Sequence, residues 1–125
     1  MAERENLEVG VGTIILSDID MKNGVAQIHI KIMEKKRGKG AGQDSIYTMV
    51  RYAFMNMRLN CIYAEILSYN ILSQKVFEKC GFHKDGILRQ RVFKEGKYVD
   101  VFTYSIISGE AGGYGRDRER ILECN

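Results

Sequence analysis

Arg37-Gly38-Lys39-Gly40-Ala41-Gly42 lies between a strand-like run and a segment of helical periodicity, and its reading decides how the rest of the chain is organised. Three glycines in five positions let the backbone turn tightly and approach a ligand closely, because no Cβ stands in the way. The helix that follows turns its first free N–H groups back toward the loop, which makes an anion site. Lys36, Arg37 and Lys39 add three positive charges. The local physics suits phosphate or pyrophosphate, and a plain strand-to-helix connection with solvated lysines remains the alternative. No Gly-Lys-Ser/Thr follows, so this is not a Walker loop, and no G-x-G-x-x-G dinucleotide fingerprint can be read.

Outward from the loop, periodicity gives the neighbouring elements. Residues 25–33 read as a strand, with Ala26, Ile28, Ile30 and Ile32 on one face and Gln27, His29 and Lys31 on the other. Asn23-Gly24 is a hairpin signal that closes a turn over 17–24, and 7–16 reads as the strand before it. On the other side, Ile46, Met49, Val50, Ala53, Phe54 and Met57 recur at helical spacing, which predicts a helix over roughly 42–57. Residues 61–67 (CIYAEIL) suit a buried strand parallel to the one before the helix, completing a βαβ unit. A second helix over 70–79 ends at Gly81, a good C-terminal cap. Two further strands, 87–94 and 98–107, are joined by Glu95-Gly96-Lys97. The expected order is β-β-α-β-α-β-β, a mixed α/β sheet. Residues 1–108 then form one domain, and 109–125 read as a charged tail.

Three motifs carry a family resemblance. Arg37-x-x-Gly40-x-Gly42 resembles the Arg/Gln-x-x-Gly-x-Gly/Ala signature of the GNAT superfamily of acyl-CoA-dependent N-acyltransferases. Asn70-x-x-Ser73-x-x-Val76-Phe77-Glu78-Lys79-x-Gly81-Phe82 is a second match. Asp85-Gly86-x-Leu88-Arg89 followed by Gly96-Lys97-Tyr98-Val99-Asp100-x-x-x-Tyr104-Ser105 is a third. The last two are similar to the branch holding ribosomal-protein, spermidine and amino-sugar N-acetyltransferases. The resemblance covers roughly residues 9 to 107.

The resemblance implies a GNAT-like fold, acetyl-CoA as co-substrate and an amine-bearing acceptor. Arg37, Gly38, Lys39, Gly40, Ala41 and Gly42 would hold the coenzyme pyrophosphate on backbone amides. The strand before the loop would splay from its parallel neighbour, and backbone groups around Ile30, Ile32 and Met33 would bond the pantetheine arm as a sheet edge would. Asn70 matches a position near the coenzyme and also suits a helix N-cap. Ser73 matches a serine near the cofactor sulfur, a candidate proton donor or an ordinary first-turn serine. Phe77 stands where many members carry a tyrosine acting as general acid, so Ser73 or a water takes that role, or the thiolate leaves unassisted.

His29 and Glu65 are the candidate bases. An imidazole titrates near neutral pH without tuning, while a lone strand histidine is more often structural. Glu65 sits in an otherwise apolar strand, where an unpaired carboxylate is costly. A cleft-facing position, or a salt bridge to Arg89 or Arg91, would satisfy it. Tyr63, Tyr69, Tyr98 and Tyr104 are expected to pack the sheet or line the cleft rim. No metal-ligand pattern is present.

Composition bounds the rest. The 125 residues, 45% of them apolar, suit one compact domain. A net charge of +3 is too mild and mixed to argue for nucleic acid, and no aromatic–basic interleaving of the RNA-binding kind is read. No membrane span or leader pattern appears, and three widely spaced cysteines (Cys61, Cys80, Cys124), odd in number and without a C-x-x-C pattern, suit reduced thiols in the cytoplasm. The chain begins near the family's second strand, so an N-terminally shortened version of the fold is expected. An uncovered sheet face then points to a homo-oligomer. The functional alternatives are an N-acetyltransferase, a catalytically weak CoA-binding module and a basic nucleic-acid-associated protein.

Overall fold

The computed structural model describes residues 5–9, 12–32 and 41–110. In chain order the elements are β1 (Glu5–Val9), β2 (Gly12–Asp20), β3 (Val25–Ile32), α1 (Ala41–Met55), β4 (Cys61–Leu67), α2 (Ile71–Lys79), β5 (His83–Lys94) and β6 (Lys97–Ile107). The strands form one sheet in the order β1-β2-β3-β4-β6-β5. The β3–β4 pair is parallel and the other neighbours are antiparallel.

The expected mixed sheet is present with one strand more than the spacing suggested. The run over 7–16 is not a single strand but is shared by β1 and β2, which pair from Glu5↔Leu16 to Val9↔Gly12. Two short β runs of the same alternation, with Gly10 between them, look continuous when read by period alone. The turn expected over 17–24 is also shorter. β2 runs to Asp20 through a register shift after Ser17, with Asp18 at φ +51°. The chain reverses at 21–24, where Asp20 accepts from the Asn23 backbone N–H (3.0 Å) and side-chain amide (2.7 Å). Those bonds, the backbone one first, hold the Asp20 carboxyl below its ordinary range. Gly24 takes φ +70°, and its carbonyl accepts from the N–H groups of Asn60 (2.6 Å) and Cys61 (2.9 Å). One glycine thereby ties the β2–β3 turn to the start of β4.

β5 begins at His83 rather than 87 and pairs with β6 around a two-residue turn, with Glu95 at φ +50° and Gly96 at φ +83°. Two positive φ values in succession match the twist of an antiparallel ribbon.

Alternation divides the sheet into two faces. Ile14, Leu16, Ala26, Ile28, Ile62, Ala64, Ile66, Tyr104 and Ile106 lie on one, in a core shared with Ile46, Met49, Val50 and Ala53 of α1 and Phe77 of α2. Both helices cover this face. The Tyr47 hydroxyl donates to the Lys79 carbonyl (3.3 Å), and the Cys80 thiol lies 3.7 Å from the Gln43 carbonyl. On the opposite face Thr13, Ile15, Val25, Cys61, Tyr63 and Leu67 are half-buried, and no helix of the described residues covers them.

Gly81 ends α2 as expected. It takes φ +92°, its N–H donates to Glu78 (3.0 Å), and the Phe82 N–H donates to the Phe77 carbonyl (3.0 Å). This is the Schellman arrangement, and its usual apolar contact is an edge-on pair of rings, Phe77 and Phe82, with centroids 4.9 Å apart.

Candidate functional site

The site begins where a ladder stops. β3 and β4 pair at Val25↔Cys61, Ala26↔Ile62 and Gln27↔Tyr63, and no rung follows, although β3 runs on to Ile32 and β4 to Leu67. Each strand keeps its outer partner along this length. β3 stays on β2 as far as Gly12↔Ile32, and β4 stays on β6 as far as Leu67↔Val101. The two halves of the sheet therefore diverge beyond Gln27 and Tyr63. At about 3.3 Å per residue the opening is about 15 Å long. Backbone N–H and C=O groups that would have paired across it are left facing the gap, and such groups demand a partner. An extended ligand with its own amides fits that demand better than an apolar one.

α1 starts after β3 and brings Gly42, its second residue, and the free N–H groups of its first turn. Ala41 opens the helix. Met33, Arg37, Gly38, Lys39 and Gly40 lie outside the described residues, as does the side chain of Ile32.

α2 starts after β4. Its first turn is fixed by Asn70, whose Oδ1 accepts from the Ser73 N–H (3.2 Å). The N-cap reading of Asn70 is thus realised. Ser73 is half-buried, and its hydroxyl makes no hydrogen bond among the described residues. Phe77, one helical turn further, is buried in the core against Phe82.

His29 and Glu65 take matching places. Each lies two positions beyond the last rung, His29 after Gln27 on β3 and Glu65 after Tyr63 on β4. By alternation both belong to the face opposite the helices, one on each bank of the gap, and both are exposed. His29 Nε2 is 2.8 Å from the Ser17 hydroxyl. Glu65 is not paired with Arg89 or Arg91: it stands opposite Thr103 of β6, and those arginines are on β5, one strand further out. Exposure to solvent, rather than a counter-ion, meets its desolvation cost. Tyr63 is half-buried at the apex of the gap, and burial first, then the charges of Asp18 and Glu65, pushes its phenol above the usual range. It stays protonated and can donate.

Two of these features escape linear reading. The apex at Gln27 and Tyr63 depends on register, which leaves no mark in composition. Asp18 enters only because the bulge in β2 turns the chain there. Of the other tyrosines, Tyr104 is buried, while Tyr69 and Tyr98 are exposed. Among the described residues no cluster of His, Cys, Asp or Glu could hold a metal ion.

The family model for the acetyltransferase (GNAT) domain matches residues 1–83. This chain belongs to the GNAT acetyltransferase family. The SPbeta prophage-derived uncharacterized N-acetyltransferase YokL of Bacillus subtilis is 32% identical over 100 residues, which is 80% of this chain and 56% of that protein. The spermidine N(1)-acetyltransferase of Vibrio cholerae is 30% identical over 80% of this chain and 58% of its own length. The crystal structure of spermidine N-acetyltransferase from Vibrio cholerae in complex with CoA and spermine superposes with a TM-score of 0.80 at 26% identity. The match covers 87% of this chain and 67% of that one. The chain thus spans little more than half the length of these curated relatives.

Proposed function

We propose that this GNAT chain transfers an acetyl group from acetyl-CoA to a primary amine, by direct attack within a ternary complex. The observation that carries this reading is the end of the β3–β4 ladder at Gln27↔Tyr63, with both strands continuing. Acetyl-CoA supplies the activated acyl group. The unpaired backbone beyond Gln27 would bond its pantetheine amides, and a strand N–H near Ile32 would polarise the thioester carbonyl. The first turn of α1, with Arg37 to Gly42, would hold the pyrophosphate. Asn70 and Ser73 would flank the thiol end, Ser73 returning a proton to the leaving thiolate. Glu65 or His29, on the two banks of the gap, would remove the proton of the acceptor amine. The chief contribution is to hold two reactants in line.

The family's names support a small amine or a protein N-terminus as acceptor, and a polyamine is the first to try. The domain over 1–108, the charged tail over 109–125, a homo-oligomer covering the open sheet face, and a cytoplasmic location suited to reduced thiols at Cys61 and Cys80 belong to the same reading. A catalytically weak CoA-binding module is the second reading, favoured by Phe77, which has no proton to give.

Thermal unfolding with acetyl-CoA, CoA or ATP tests the first step. A ligand at a hundred times its dissociation constant stabilises by about 2.7 kcal/mol. A shift with both CoA species and little with ATP is expected. No shift with any of them overturns the coenzyme site, and a shift without turnover on any amine selects the weak module.

A further inference from the structure

A single polar row crosses the open face of the sheet at the closed end of the gap. Register aligns Ser17 with Gln27, Gln27 with Tyr63, Tyr63 with Ser105 and Ser105 with His83, one residue from each of β2, β3, β4, β6 and β5. The row behind it, Val25, Cys61 and Ile107, is apolar. Both ends of the polar row are engaged, Ser17 with His29 at 2.8 Å and His83 with Glu110 at 3.1 Å. Its centre is not. The side chains of Gln27 and Tyr63 make no hydrogen bond among the described residues.

Gln27 is the odd member. It is only 8% exposed, and it lies between Ala26 and Ile28 of the core, so alternation places its amide on the open face. Burying an amide without a partner costs free energy, and folded proteins keep few such groups. No polar side-chain atom among the described residues is sealed from solvent without a partner, so this amide reaches solvent at the closed end of the gap. Beside it the half-buried Tyr63 phenol stays protonated. The amide offers two N–H donors and a carbonyl acceptor, and the phenol offers a further donor. His29 and Glu65 stand one pleat repeat further along, about 7 Å away, so one small acceptor can touch both pairs.

We propose that Gln27 and Tyr63 are the acceptor-recognition pair, taking an oxygen carried on the carbon beside the amine-bearing one. The Gln27 carbonyl would accept an N–H of the amine. The Gln27 amide N–H and the Tyr63 hydroxyl would donate to the oxygen. Resting on the reading of the gap as an acetyl-transfer site, this narrows the acceptor to an aminoacyl carbonyl or a vicinal amino alcohol. A bare alkylamine leaves the pair unmet, and unmet buried polar groups are a strong source of discrimination. A polyamine would bring a second ammonium instead, for which the carboxylate near Tyr63 is Asp18. Asp18 is exposed, and an exposed charge screened by water and salt discriminates weakly.

The test is acetyl transfer from acetyl-CoA to glycinamide, ethanolamine, propylamine and diaminopropane, with kcat/KM compared per unprotonated amine. Glycinamide or ethanolamine should exceed propylamine about tenfold or more. The better of the two says whether the oxygen is a carbonyl or a hydroxyl. Gln27→Met nearly keeps the side-chain shape and should bring that ratio close to unity, with Tyr63→Phe acting in the same direction. Removing an unpartnered buried amide should leave the unfolding temperature unchanged or raise it, whereas removing a structural amide would lower it. Equal rates on propylamine and the oxygen-bearing acceptors, or no transfer to any of the four, overturn the proposal. So does a Gln27→Met protein that unfolds earlier or slows on all four alike. A preference for diaminopropane that disappears in Asp18→Asn overturns it in favour of a second cation held by Asp18. A normal thermal shift with acetyl-CoA confines any such failure to the acceptor pair, while loss of that shift in the parent strikes the reading of the gap and this proposal with it.

Discussion

The Tyr104 hydroxyl donates a 3.0 Å hydrogen bond to Glu78 Oε2, tying the sheet to the helix that carries Asn70 and Ser73. Tyr104 is 1% exposed, so the bond sits at the base of α2, beneath Glu78. Burial, and then the bond to Glu78, pushes the phenol up to about 12. A raised folded-state pKa favours the protonated form on folding. That contribution is complete below pH 10, the ordinary tyrosine value, and is lost as pH rises through about 12. Tyr104→Phe should cost about 1 kcal/mol at neutral pH. The stability difference between parent and variant should shrink between pH 10 and 12. Urea unfolding of both proteins across that range checks it, and a pH-independent difference would remove Tyr104 as the titrating group.

Phe77 is held by its contact with Phe82 and by the α2 terminus, so its ring has little freedom. Phe77→Ala opens a cavity in the core and should cost about 3–5 kcal/mol. Phe77→Tyr keeps the ring and adds one hydroxyl. If departure of the thiolate limits the reaction, kcat for acetyl transfer should rise with KM for acetyl-CoA nearly unchanged. Steady-state thiol release measures both constants, and an unchanged kcat would show that the thiolate needs no acid from this position.

Much of this architecture is legible in the chain. β4 and α2 stand where composition and capping place them, because Cys61–Leu67 is a short apolar, β-rich run and Asn70 and Gly81 bracket the helix with side-chain and backbone chemistry. The β1–β2 boundary is not legible, since both strands share one alternation. The gap is legible only as a family expectation. Whether β3 and β4 stay paired beyond Gln27 and Tyr63 depends on which outer neighbour each follows, and no residue type encodes that. Glu65 shows the same limit from the other side: an acid inside an apolar strand signals something special, and only the sheet order excludes Arg89 and Arg91 as its partners.

Gly42 is the second residue of α1, at its positive end. Gly42→Asp places a carboxylate where the helix dipole favours it, by about 0.3–1 kcal/mol. The same carboxylate would repel a pyrophosphate. The apo protein should therefore unfold at the same temperature or slightly higher, while the shift caused by CoA disappears. A normal CoA shift in this variant would place the pyrophosphate elsewhere.

Asn70 and Ser73 separate cap from chemistry. Asn70→Ala removes the acceptor of the Ser73 N–H and should cost about 1 kcal/mol of stability, along with coenzyme affinity. Ser73→Ala leaves that backbone bond intact. Its stability and its CoA affinity should stay near those of the parent, while kcat falls. A full rate in Ser73→Ala would assign proton return to water.

Glu65 and His29 face the same gap from opposite banks, so one variant at each position decides between them. Removing the base should lower kcat by about 10²–10⁴-fold, with acetyl-CoA affinity kept, because neither side chain belongs to the coenzyme loop. If Glu65 is the base, Glu65→Gln shows that loss and His29→Gln does not. If the imidazole is the base, the pattern reverses. The Ser17 hydroxyl, 2.8 Å from His29 Nε2, gives this second case a further mark. Ser17→Ala should then lower kcat without abolishing it, since it changes the hydrogen bonding of the ring and leaves the ring in place. Retention of the full rate by both Gln variants would assign deprotonation to solvent, with Tyr63 at the apex of the gap left to orient the amine.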